Sequence, residues 1–132
     1  MLKRISILFL LLVVALQTSV SCAQQKEVKG KLFIIGGGSR PSAMIDRIIL
    51  ESGIDKEGYG VILPMSSSEP DTAAYYAKKQ FLIKGITNVH ALQFVKDEKL
   101  SSDKIDSLKN ARMIYISGGD QNRFMEVVAN TD

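Results

Sequence analysis

The chain has 132 residues, 45% of them hydrophobic and 23% charged, with one cysteine, one histidine and no tryptophan. That length leaves room for one domain, and a single cysteine excludes an internal disulfide. Setting aside residues 1–21 removes Lys3 and Arg4 and no acid, leaving 15 basic and 14 acidic residues, so the composition does not point to nucleic acid.

Lys3 and Arg4 precede an almost wholly apolar stretch from Ile5 to Leu16, followed by small and polar residues up to Ala23. This pattern reads as a secretory signal over residues 1–22 and predicts an exported, periplasmic or outer-envelope protein of bacterial type. A retained membrane anchor is the alternative. Two processing sites fit: cleavage after Ala23 in Ser21-Cys22-Ala23, or lipid attachment at Cys22, where Ser19 stands in place of the preferred leucine. The position of the lone cysteine favours a lipoprotein. Residues 23–30 read as a polar tether, and 31–132 as the domain.

Short apolar runs then alternate with helical stretches. Residues 31–36 contain Phe33, Ile34 and Ile35 in succession, the pattern of a first strand buried on both faces. Pro41 opens a helix carrying Met44, Ile45, Ile48 and Ile49 at helical spacing, which Gly53 ends. A second strand spans 59–63 and stops at Pro64. The polar loop Ser66-Ser67-Ser68-Glu69-Pro70-Asp71 leads into a helix over 72–84, with Ala73, Tyr76, Ala77 and Phe81 inward and Gly85 closing it. A third strand follows at 88–94. Ser101 or Ser102 caps a short helix to about Asn110, and a fourth strand covers 112–117. A last helix begins at Gln121, with Phe124, Val127 and Val128 on one face. Alternation of this kind requires a parallel sheet with right-handed crossovers and helices on both faces.

Two glycine turns follow apolar strands: Gly36-Gly37-Gly38 after the first, and Gly118-Gly119-Asp120-Gln121 after the fourth. In such sheets ligands sit beyond the carboxyl ends of the strands, where strand order reverses. With the order 3-2-1-4, both turns face one crevice and offer backbone N–H groups to an oxyanion or phosphate. Gly36-Gly37-Gly38 is not a dinucleotide fingerprint, because Pro41 falls where the third glycine belongs. It is not a phosphate-binding P-loop either, lacking Gly-Lys-Ser/Thr. A simple tight turn explains it as well.

The serines at 66–68 need a base within hydrogen-bond reach to act as nucleophiles, and the only histidine, His90, falls in the third strand. They are expected to cap the following helix. No spacing of His, Cys and acids suggests a metal, and no cofactor is expected. Asp97-Glu98 and Lys78-Lys79 read as solvated surface.

Three pieces together carry a resemblance: Leu32-Phe33-Ile34-Ile35-Gly36-Gly37-Gly38, then Leu63-Pro64-Met65-Ser66-Ser67-Ser68-Glu69-Pro70, then Ile116-Ser117-Gly118-Gly119-Asp120-Gln121-Asn122-Arg123. In order and spacing they resemble the cyanophycinase branch of the cyanophycinase and dipeptidase E serine peptidases. The resemblance implies a three-layer, flavodoxin-like sheet akin to class I glutamine amidotransferases, here in part. It implies hydrolysis of aspartyl peptide bonds, or of a cyanophycin-like substrate, by acyl transfer. Amides of Gly118 and Gly119 would hold the oxyanion. Gln121, Asp120, Arg123, Gly37 and Gly38 would contact substrate.

The family's serine lies in a Gly-Thr-Ser-Ala-Gly-like elbow after the glycine-glycine-aspartate-glutamine turn, and this sequence has none. The chain is thus expected to be the amino-terminal part of an exported peptidase, inactive alone and open to pairing as a homodimer through an uncovered sheet edge. A non-catalytic peptide-binding relative, or an amidotransferase-like domain using cysteine, are the alternatives.

Overall fold

A computed structural model describes residues 30–36 and 39–129. The leader, Cys22 and the two glycines Gly37 and Gly38 lie outside them. The elements, in chain order, are α1 (Ser42–Ser52), β1 (Gly60–Leu63), α2 (Pro70–Leu82), β2 (Val89–Ala91), α3 (Ser102–Lys109), β3 (Met113–Ile116) and α4 (Gln121–Val128). None of the described helices is long and apolar enough to cross a membrane.

The class is α/β, with a three-stranded parallel sheet in the order β2-β1-β3. β1 is buried along its whole length, as a central parallel strand with helices on both faces must be. Successive residues of β1 face opposite sides, and each side has its own core. Ile62 joins Val89, Met113 and Tyr115 beneath Ile45 and Ile48 of α1 and Ala77 and Phe81 of α2. Val61 and Leu63 pack with Met65 and Phe94 beneath Leu108 of α3 and Phe124, Val127 and Val128 of α4. The result is three layers, helices over sheet over helices.

Local sequence explains the element ends. Gly53 takes the left-handed conformation (φ +67°) that closes α1, and its N–H donates to the Ile49 carbonyl at 2.9 Å. Ser101 caps α3, its Oγ accepting from Lys104 N at 3.3 Å. Asp120 caps α4, its Oδ1 accepting from Asn122 N at 2.8 Å.

Four expectations are corrected. Residues 31–36 form no strand, and Leu32 and Ile34 are 85% and 83% exposed, with only Ile35 packed against a core. The position between the second and fourth strands, which the order 3-2-1-4 assigns to them, is closed. β1 bonds directly to β3, from Gly60 against Met113 to Leu63 against Ile116, so both edges of β1 are used. Tyr76 points outward, 57% exposed, and meets Tyr75 edge-on with centroids 5.2 Å apart. The serines do not cap α2, whose N-cap residue is Glu69 and which has no side-chain cap bond.

Candidate functional site

The chain leaves β1 for β2 on one side, then returns past β1 to reach β3 on the other. The helices that follow β1 and β3, α2 and α4, pack on opposite faces of the sheet. Their connecting segments therefore diverge at the carboxyl ends of β1 and β3, which is where an open α/β sheet forms a ligand crevice. Two stretches meet there: Pro64 to Ser68 after β1, and Ser117 to Asp120 after β3.

They are locked together by backbone. Ser117 N donates to Leu63 O at 3.0 Å and Asp120 N to Ser66 O at 2.8 Å. The buried Ser66 hydroxyl donates to the Ser117 carbonyl at 2.8 Å. Between these ties Gly119 lies flat on the serine loop. A Cβ on it would overlap the Ser66 carbonyl and come within 3.0 Å of Ser67 N, and its φ of +151° is itself unfavourable for other residues. Glycine at 119 is thus demanded by the approach of two backbone segments. Gly118 differs, with open space where its Cβ would be.

Gly118 and Gly119 are exposed residues whose N–H groups donate to no acceptor among the described residues, whereas the amides on either side are both engaged. Two adjacent free amides beside a helix start are suited to an oxyanion. The Asp120 carboxylate is turned to the Asn122 amide as a helix cap. Gln121 and Arg123 are exposed in the first turn of α4.

The Arg40 guanidinium donates to the Tyr115 hydroxyl of β3 and lies 5.8 Å from that ring's centroid. Arg40 was not singled out by sequence, and neither was Ser66 as a strut. Ser66 was legible in one respect: it follows a fully apolar strand, so it had to fall at the strand's carboxyl end. No Ser–His pair is assembled among the described residues. His90 is exposed on the edge strand β2 and packs against the Tyr59 ring with centroids 5.1 Å apart. Ser67 Oγ accepts from Glu69 N at 3.0 Å.

Beside the crevice, on the α4 side, opens a cleft of about 330 Å³ lined by Met65, Ser67, Ser68, Pro70, Gln93, Phe94, Val95, Lys96, Arg123 and Val127. Arg123 therefore faces a cavity, while Asp120 and Gln121 are not part of its wall. Among the described residues no group of three His, Cys, Asp or Glu is placed to hold a metal ion.

Comparison of the chain with protein-family models, curated proteins and solved structures finds no match.

Proposed function

We propose that this chain is the amino-terminal part of an exported serine-type peptidase of the cyanophycinase kind, cutting aspartyl peptide bonds by acyl transfer on a partial flavodoxin-like sheet. The observation that carries the reading is the pair of free amides at Gly118 and Gly119, held rigidly at the carboxyl end of β3. In the proposed reaction a serine oxygen attacks the peptide carbonyl carbon and a base takes its proton. The carbonyl oxygen becomes an anion that the glycine amides and the amide after the nucleophile bind. Collapse expels the amine, which takes the proton from the base, and water, deprotonated by the same base, releases the acyl group and restores the serine. The serine and its base are supplied by sequence following Asp132. Gln121 holds the substrate backbone, with Arg123, Asp120, Gly37 and Gly38 as further contacts. Cys22 carries the lipid that holds the protein at the envelope, and two copies can pair.

The test is to read and express the sequence downstream, then assay the extended protein and the 132-residue chain on aspartyl dipeptides and cyanophycin. Serine at the elbow with turnover only by the extended protein supports the reading. Cysteine there indicates amidotransferase-like chemistry, neither residue indicates a binding relative, and turnover by the short chain refutes the division of the site. In the active form Gln121→Ala should raise KM at least as much as it lowers kcat. Mass spectrometry of membrane-bound protein should find a modified Cys22 as the first residue. A mature protein starting at Gln24 overturns lipidation and leaves export standing.

A further inference from the structure

The cleft beside the glycine turn has a charge pattern of which the peptidase reading uses only Arg123. Five cations of the described residues, Lys31, Arg47, Lys84, Lys104 and Arg112, each form an ion pair with a carboxylate. Lys96 and Arg123, which line the cleft, are among the described cations that have no such partner. Glu69, Asp97 and Glu126 are their neighbours along the chain, and Glu98 accepts from the Val95 amide at 3.3 Å while paired with Lys104, yet none of these acids lines the cavity. Hydroxyls of Ser67 and Ser68 and the amide of Gln93 add neutral hydrogen-bonding groups. Met65, Phe94 and Val127 form an apolar floor. Two cations over an apolar floor, with no acid in the wall, form a concave site with a local field of one sign.

We propose that this cleft is an anion-binding site for a small ligand carrying a carboxylate or phosphate on a short apolar body. Arg123 offers a planar fork of donors that matches the two oxygens of either group. Lys96 contributes a second charge from the segment after β2, so the ligand bridges the loop after β2 and the first turn of α4. The apolar floor takes the methylene part. The site is independent of the oxyanion amides and stands whether or not the protein is a peptidase.

The experiment is a titration of the full chain with succinate, inorganic phosphate and the neutral analogue succinamide, followed by calorimetry and by amide chemical shifts. Saturable binding of succinate or phosphate is expected, with shifts at Ser67, Ser68, Lys96 and Arg123, and no saturation by succinamide. Saturation by succinate identifies the carboxylate as the ligand group, and saturation by phosphate alone identifies a phosphate. Arg123→Ala and Lys96→Ala should each weaken binding about tenfold, the usual size for losing one charged hydrogen-bond donor. Arg123→Lys should lose less, and Lys109→Ala, which removes an exposed cation at the end of α3, should change nothing. All three positions are exposed, so the variants should fold as the parent does, checked by circular dichroism. Equal binding of succinamide, no saturation by either anion, or unchanged affinity in the Arg123→Ala Lys96→Ala double variant overturns the proposal.

Discussion

The Ser66 hydroxyl donates to the Ser117 carbonyl across the carboxyl ends of two neighbouring strands, at 2.8 Å and out of contact with water. It joins the segment after β1 to the segment after β3 just before the glycine pair. The free amides of Gly118 and Gly119 are therefore part of a braced structure, which is what an oxyanion site needs in order to act without reorganising.

Gly119→Ala should destabilise the protein by about 1–3 kcal/mol, from steric overlap with the Ser66 carbonyl and an unfavourable φ. Gly118→Ala should cost less than about 1 kcal/mol, since its Cβ enters open space. Urea denaturation of the two variants compares them directly. Equal midpoints would show that the turn does not lie against the serine loop. The same overlap makes Gly119 a poor kinetic probe of the oxyanion, because lost activity would follow from lost structure.

The two buried serines should behave oppositely. Ser66→Ala leaves the Ser117 carbonyl without its hydroxyl donor and should cost about 1–2 kcal/mol. The Ser117 hydroxyl is buried with no hydrogen-bond partner among the described residues, so Ser117→Ala should be neutral or stabilising. Thermal melts of both variants check the sign of each. A destabilised Ser117→Ala would mean that this hydroxyl has a partner.

Acid should release the Lys104 contact. A hydrogen bond from Lys104, then one from the Val95 amide, holds the Glu98 carboxyl below its usual 4.5, against a smaller opposing effect of burial. A carboxyl lowered in the folded state stabilises it above the unfolded value, and that contribution is lost as pH falls through the lowered one. Carbon-detected NMR titration should find Glu98 below 4.5, and Lys104→Met should move it back up. An unmoved titration would remove Lys104 as the cause.

The outer side of β3 should promote self-association. Among the described residues β3 pairs only with β1, and Ile114 and Ile116 are 49% and 53% exposed. In register they lie on the side of Val61 and Leu63, where α3 and α4 leave them partly uncovered. Sedimentation should show concentration-dependent association that Ile114→Lys and Ile116→Lys reduce with the fold retained. A parent chain that is monomeric throughout would exclude this edge as an interface.

Much of the architecture was legible because it rests on short-range chemistry. The consecutive apolar residues of 60–63, the capping Ser101, the helix-ending Gly53 and the spacing of Ile45 with Ile48 and of Ala77 with Phe81 each act within a few residues. They fixed the α/β alternation and the parallel class. The glycine turn at 118–119 was legible as a turn for the same reason. The apolar run 32–35 has the composition of a buried strand, yet whether it joins the sheet depends on a vacant edge. β3 bonds to β1 there instead. Local pattern also could not show that Ser66 faces the Ser117 carbonyl, 51 residues away, or that Lys96 and Arg123 line one cleft. Those pairings come from strand order and from which face each helix covers. They are long-range choices, decided only when the whole sheet is packed.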